Sequence, residues 1–468
     1  MQDTSQTICA LSKAPGVGAI ALIRLSGKDA LSLVSACCGK DLTLVPTHTA
    51  HFARFRDTSG KVLDEVVITV FKDGKSFTGE NTAEIACHGS TYIQQMILKT
   101  LLERGCRMAA PGEFTMRAFM NGKMDLSQAE AVADLIASES SKAHEVAMNQ
   151  MRGSFSHELK DLREKLIHFA SMVELELDFA EEDVEFADRT ELRALVDEVL
   201  AYIAKLIRSF ELGNVLKNGV PVAIVGAPNT GKSTLLNQLL GEERAIVSNI
   251  AGTTRDVIEE TLNIDGILFR LIDTAGIREG ADTIEAIGIE RSHQKIQQAK
   301  VVIVMCDFGD LGSAVEDHLS MGPIEAMAWA DTLVVQYPEK RIVVVGNKAD
   351  LRPANQDALW YNCKAAFIPL SAKTGEGMHD LTAWLSEQVL GDFNTQTDTI
   401  VSNARHLEAL QRAQSSLTAA KNGLETGITG DFVAMDIRQA LFDLGSITGD
   451  ISTEDLLGNI FAKFCIGK

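Results

Sequence analysis

One stretch of this chain has residue types and spacing suited to phosphate chemistry. "GAPNTGKST" (226–234) fits the pattern G-x-x-x-x-G-K-[ST]. It follows the apolar run "VPVAIVG" and opens the helix-like "STLLNQLLG". A strand, a glycine turn and a helix start, in that order, aim backbone N–H groups and the positive end of a helix at an anion. Gly226 and Gly231 allow the turn, with Asn229 and Thr230 between them. Lys232 brings a point charge to the β- and γ-phosphates. The Ser233 hydroxyl can bind Mg2+, which takes few protein ligands, and Thr234 follows it into the helix.

Three further motifs follow in order. "GTTRD" (252–256) offers Thr254 as a second Mg2+ ligand. In "DTAG" (273–276), Asp273 can hold Mg2+ through water and the Gly276 N–H can sense a γ-phosphate, with Thr274 and Ala275 between them. "NKAD" supplies Asn347, Lys348, Ala349 and Asp350. The Asp350 carboxylate can accept from both N1 and N2 of guanine. Adenine lacks that donor pair, and the stranded carboxylate would cost about 1–3 kcal/mol. "SAK" (Ser371, Ala372, Lys373) would close over the base. This order resembles translation-factor-like GTPases and selects GTP over ATP. Small switch GTPases carry Gln after D-T-A-G to orient the attacking water. Here that position is Ile277, which cannot do so. Asn229 could place an amide oxygen beside the α/β-phosphates and help hold a monovalent cation where an arginine finger otherwise acts. It could equally be a plain turn residue.

The other candidate chemistry lies in the tail "IFAKFCIGK". Cys465-Ile466-Gly467-Lys468 has the outline of a prenylation box, but Gly467 is not aliphatic and Lys468 is not a usual final residue. A tail of no consequence and a thiol delivered to an active site are the remaining readings.

These residues need elements to hold them. Residues 1–120 read as mixed α/β: "GAIALIRLSG" and "DEVVITVFK" are β-rich, and "TYIQQMILKTLLERG" is a helix closed by Gly105. Residues 124–211 are helical by apolar spacing, as in "SQAEAVADLIASESSKAHEVAMNQM", and no proline falls between Pro111 and Pro221. From 220 the runs "VPVAIVG", "LFRLIDTAG", "VVIVMCD" and "RIVVVGNKAD" read as buried parallel strands with functional loops at their C-terminal ends. After about 391 the pattern is helical again. A nucleotide-binding domain inserted into a helical domain accounts for this order. The expected boundaries are 1–120, 121–218, 219–391 and 392–468.

Composition fits that frame. The chain has 468 residues, 46% of them hydrophobic, and a formal charge of −20. Such acidity argues against non-specific coating of nucleic acid. Residues 1–120 nevertheless balance 13 Lys/Arg against 11 Asp/Glu, so RNA could bind through a local patch. Eight scattered cysteines show neither zinc spacing nor a disulfide framework, which points to a reducing cytoplasm. No signal peptide or membrane-spanning run is expected.

Together, "PGEFTMRAFMNGKMDLSQAEAVADLI" (111–136), the phosphate loop, "SNIAGTTRDVIEE" (248–260), "DTAGIRE" (273–279) and "FCIGK" resemble the MnmE/TrmE tRNA-modification GTPases. The resemblance runs nearly end to end and is weakest at 306–340. It implies an α/β N-terminal folate-binding domain, a helical domain and an inserted Ras-like G domain with a mostly parallel sheet. It implies a homodimer that joins the flavoprotein MnmG as a heterotetramer. Together they add an aminomethyl or carboxymethylaminomethyl group at position 5 of the wobble uridine of certain tRNAs. It implies K+-activated GTP hydrolysis, with Asn229, Ser248, Ile250 and Thr253 at the K+ positions. The loop of Ser248, Asn249, Ile250, Ala251, Gly252, Thr253 and Thr254 lines the nucleotide. Glu285 falls where a glutamate positions water. Arg24, Glu84, Lys123 and Lys468 fall on positions for 5-formyl- or methylene-tetrahydrofolate. Cys465 is implied as a candidate nucleophile toward the pyrimidine, or as a structural residue beside the folate. A ribosome-assembly or signalling GTPase without modification chemistry is the alternative; no KH-like G-x-x-G clamp supports it.

Overall fold

The structure is a computed structural model describing residues 5–12, 16–178, 189–243, 260–272, 293–308, 322–351, 363–391, 395, 398–426, 430–452, 454–462, 464 and 467. The chain forms two compact units. One comprises residues 1–136, 150–201 and 409–468; the other comprises 137–149 and 202–408.

The first unit begins with a six-stranded sheet. Its strands are β1 (Ile8–Leu11), β2 (Ile20–Ser26), β3 (Thr49–Arg56), β4 (Val62–Phe71), β5 (Thr82–His88) and β6 (Arg107–Met108), in the order β3-β4-β5-β2-β1-β6. Neighbours are antiparallel except β1 and β6, which run parallel. Side chains alternate between the two faces of a strand. Ile23, Leu25, Ile68 and Ile85 therefore share one face, where α1 (Ala30–Cys38) and α2 (Thr91–Glu103) cover them with Val34, Cys37, Ile97 and Leu101. Burying each large aliphatic contributes about 1.5–3 kcal/mol. Ile20, Phe52 and Val67 point the other way and stay 68%, 64% and 43% exposed. At the β1–β6 margin of this second face stands α3 (Glu113–Met120), whose Phe114 packs with Ile8, Ala10 and Ala109.

The stretch 126–151 has the spacing of one helix but folds as two, α4 (Leu126–Ala137) and α5 (Ser141–Met151). The Ser-Glu-Ser break supplies a cap: the Ala143 N–H donates to Ser140 Oγ at 3.2 Å. The long helices α6 (Ser154–Asp178) and α7 (Arg189–Asn218) follow.

The second unit carries β7 (Val220–Gly226), α8 (Lys232–Glu243), β8 (Glu260–Ile264), β9 (Ile267–Leu271), β10 (Val301–Asp307), α9 (Pro323–Gln336), β11 (Arg341–Asn347), β12 (Ala366–Pro369) and α10 (Met378–Leu390). The sheet order is β12-β11-β10-β7-β9-β8. All pairs are parallel except the β8–β9 hairpin, which the apolar pattern did not announce. β7, β10 and β11 are buried on both faces, as their continuous apolar runs require. The expected mostly parallel sheet is therefore observed. Past it lie α11 (Ala404–Thr426), then α12 (Gly430–Thr448) and α13 (Glu454–Phe461) of the first unit, with α12 packed along α6.

Candidate functional site

The C-terminal ends of the parallel strands hold the motif residues, where open α/β sheets bind their ligands. β7 ends at Gly226, and the turn to α8 uses left-handed backbone at Asn229 (φ 61°) and Gly231 (φ 90°). Gly231 admits no side chain, because a Cβ there would lie 2.1 Å from Asn347 Nδ2. The Thr230 hydroxyl donates to Ala227 O at 2.9 Å. Lys232 folds over the turn and donates to Gly226 O (2.9 Å) and Ala227 O (2.6 Å). Burial, with the Lys295 ammonium beside it, pushes the Lys232 ammonium down to about 8. Asn229, Ser233 and Thr234 are exposed around the same turn.

Asn347 ties three of these loops together. It is buried, and its Nδ2 donates to Thr230 O at 2.8 Å. Its Oδ1 accepts from the Lys348 N–H at 2.8 Å and the Ala372 N–H at 3.0 Å. The Ala349 N–H donates to Leu370 O at 3.0 Å, so Ser371, Ala372 and Lys373 are carried beside the 347–350 turn. Asp350 stands exposed at its rim. Lys348 (φ 62°) sends its ammonium to an Asp307 carboxylate oxygen. N–H groups at a helix start, a lysine and a left-handed turn lie together there, the parts from which a phosphate site is built. Among the described residues no cluster of three His, Cys, Asp or Glu side chains could hold a metal. Ser248, Asn249, Ile250, Ala251, Gly252, Thr253, Thr254, Asp273, Thr274, Ala275, Gly276 and Glu285 lie outside the described residues.

A second group of residues meets in the first unit. Arg24 and Glu84 face each other across β2 and β5, with Arg24 Nε 2.8 Å from Glu84 Oε1 and a second guanidinium nitrogen at 2.7 Å. The Arg24 guanidinium lies 5.8 Å from the centre of the Phe114 ring. Phe114 is set by the residue before it. Buried Glu113 accepts from Arg107 (2.6 and 2.9 Å), Arg117 (3.0 Å) and the Ala110 N–H (2.9 Å). Burial works to raise the Glu113 carboxyl, but these donors outweigh it and hold the group below the ordinary carboxylate range. Lys123 Nζ donates to Gly74 O at 2.9 Å and packs on the 74–79 turn rather than on Glu84.

The tail docks against the same unit. Phe461 and Phe464 meet at a 50° tilt with ring centres 5.3 Å apart, and Phe461 packs on Leu126 and Ala129 of α4. Ser12 Oγ donates to Gly467 O at 3.3 Å. Gly467 (φ 94°) leaves no room for a Cβ, which would sit 2.3 Å from Leu11 O. Cys465 and Lys468 lie outside the described residues.

The family described as "MnmE helical domain" matches residues 126–465, and "GTP-binding protein TrmE N-terminus" matches residues 7–123. The chain belongs to the MnmE family. The tRNA modification GTPase MnmE of Cytophaga hutchinsonii is 53% identical over 467 residues, covering 99% of this chain and 98% of its own. That of Flavobacterium psychrophilum is 50% identical over 470 residues, covering 99% of each. Among solved structures, the FeoB G-domain of Methanococcus jannaschii spans 36% of this chain and 96% of its own at 24% identity. The TM-score of that match is 0.25.

In this member of the MnmE family of tRNA modification GTPases, two side-chain contacts escaped sequence reasoning. The Lys348–Asp307 pair was missed because an aspartate ending an apolar run reads as the start of a loop. The part of Phe114 beneath Arg24 had no local signal at all.

Proposed function

We propose that this MnmE-family GTPase hydrolyses GTP in a K+-dependent manner and, with the flavoprotein MnmG, modifies position 5 of the wobble uridine of certain tRNAs. A folate, 5-formyl- or methylene-tetrahydrofolate, is the one-carbon donor. The observation that carries the GTP reading is the tie through Asn347, which joins the phosphate turn, the Asp350 turn and the 371–373 loop at the C-terminal ends of the parallel strands.

Each residue then has a role. Thr230, Gly231, Lys232 and Thr234 hold phosphates, with Asn249, Ala251, Gly252 and Gly276 along them. Ser233 and Thr254 bind Mg2+, helped by Asp273. Asn229, Ser248, Ile250 and Thr253 bind K+, whose charge serves where an arginine finger otherwise would. Asp350 reads guanine, and Glu285 positions the water that Ile277 cannot. Asn229 is exposed in left-handed backbone beside the phosphate turn, which leaves its amide open to a cation.

In the first unit, Arg24, Glu84, Lys123 and Lys468 hold the folate. The docking of Gly467 on Leu11 and Ser12 supports bringing the chain's tail to that domain, with Cys465 serving the uridine chemistry. The exposed Ile20, Phe52 and Val67 on the second sheet face support a homodimer, which binds MnmG as a heterotetramer and takes tRNA through a local patch. The domains divide at 1–120, 121–218, 219–391 and 392–468. The seven described cysteines are free thiols, in keeping with work in the cytoplasm. No helix among the described residues is long and apolar enough to cross a membrane.

The deciding experiment is GTP hydrolysis by the full chain in K+ and in Na+. Hydrolysis should be strong in K+ and weak in Na+. Asn229→Ala should lose the K+ response, on the order of 10²–10³ in kcat, while still binding GTP. Equal rates in both salts would refute the K+ mechanism.

A further inference from the structure

We propose that Asp307 is a positioning residue for guanine-nucleotide binding, holding the Lys348 side chain as a fixed apolar rail beside the base site. This rests on the reading of residues 347–350 as the guanine-recognition turn.

Asp307 is mounted rigidly. It is the last residue of β10 and stands opposite Asn347 in register. The next residue, Phe308, is buried and meets Phe367 edge-on at 5.9 Å and 83°. Both rings lie over Gly346, where a Cβ would come within 2.4 Å of Phe308 and 2.8 Å of Phe367. The Asp307 backbone therefore has little freedom to shift.

Lys348 is held at both ends. Its backbone sits in the left-handed region at φ 62°, which a lysine adopts only when its surroundings impose it. Its N–H donates to Asn347 Oδ1 at 2.8 Å, and its carbonyl accepts from the Leu351 N–H at 2.9 Å. Its ammonium pairs with Asp307. The four-carbon stem thus spans the C-terminal ends of β11 and β10, two residues before Asp350. A single partly exposed pair adds little to stability. What it supplies is order. A free lysine stem loses rotamer freedom when a ligand lands on it, and a stem already fixed does not. Fixed stems also present an apolar flank, which suits the face of a purine whose edge is read by Asp350.

Asp307→Ala in the full chain should weaken GDP binding about tenfold by calorimetry, and the loss for GTP hydrolysis should appear in KM rather than kcat. In a Lys348→Ala background the same substitution should add almost nothing, because the effect passes through Lys348. Asp307→Glu should restore part of the affinity. Asp307→Asn keeps the volume and drops the charge, and serves if the alanine variant does not fold. Unchanged GDP affinity would overturn the proposal. So would equal losses in the two backgrounds, which would make Asp307 a fold residue, or a loss confined to kcat. Asp350→Asn separates the proposal from its premise: unchanged guanine-over-xanthine preference there would sink the reading of the 347–350 turn itself.

Discussion

Truncating Asn347 to alanine tests whether one side chain holds the nucleotide loops in register. The substitution strands the Thr230 carbonyl and the Lys348 and Ala372 N–H groups, which now bond at 2.8, 2.8 and 3.0 Å. Asn347 is only 3% exposed, so water does not readily replace it. A stranded buried polar group costs about 1–3 kcal/mol. Taking the lower figure for each, the loss is about 3 kcal/mol. For a unit of roughly 150–250 residues that lowers Tm by about 6–12 °C. Calorimetry of the full chain reads this directly, since the transition of the nucleotide-binding unit is the one that GDP raises. GDP affinity should fall with it, by a factor on the order of 10–100, as the phosphate turn and the base turn lose their common anchor. A Tm within a degree of the parent, with GDP affinity unchanged, would show that the three loops hold themselves and that the reasoning from Asn347 is wrong.

Lys232 gives a pH test. Its ammonium is pushed down to about 8 in the nucleotide-free site, chiefly by burial and then by Lys295. Phosphates favour the charged form, so affinity is full below pH 8 and declines as pH rises through it, making GDP about tenfold weaker at pH 9 than at pH 7. Lys232→Arg should be flat over that range because a guanidinium keeps its proton, and a flat parent profile would contradict the assignment. Gly467→Ala should displace the tail from Leu11 while leaving GTP hydrolysis intact. Nucleoside analysis of cellular tRNA should then show lost wobble-uridine modification, and normal tRNA would disconnect the docked tail from that chemistry. Asp350→Asn should reduce the preference for guanine over xanthine nucleotides, measured by competition binding, because an amide cannot accept from both guanine nitrogens.

The nucleotide loops were legible because their chemistry is local. "GAPNTGKST" and "NKAD" each carry their meaning within a few residues of one strand end, and a run such as "VVIVMCD" has the composition of a strand buried on both faces. What the chain concealed depends on pairing. Arg24 and Glu84 are 60 residues apart and meet only because β2 and β5 are neighbours in one register. The resemblance to a family named them; spacing could not. β1 and β6 are too short to show alternation, and their pairing is a property of the sheet. The split between α4 and α5 turns on a serine that caps a new helix, a signal that apolar periodicity overrides when read alone. Asp307 gains its role from Lys348 across two parallel strands, which no window along the sequence contains.

The interrupted order of the first unit has a consequence for how the protein is born. Residues 1–136 leave the ribosome first, and their partners in 409–468 are made only after the whole of the second unit. At about 5–20 residues per second, roughly 14 to 55 seconds separate Ile136 from Ala409. Throughout that delay Leu126 and Ala129 wait without Phe461, and Leu11 and Ser12 wait without Gly467. The nascent chain therefore carries an unfinished seam until after its nucleotide-binding unit has been made. That seam closes only when the docked tail arrives.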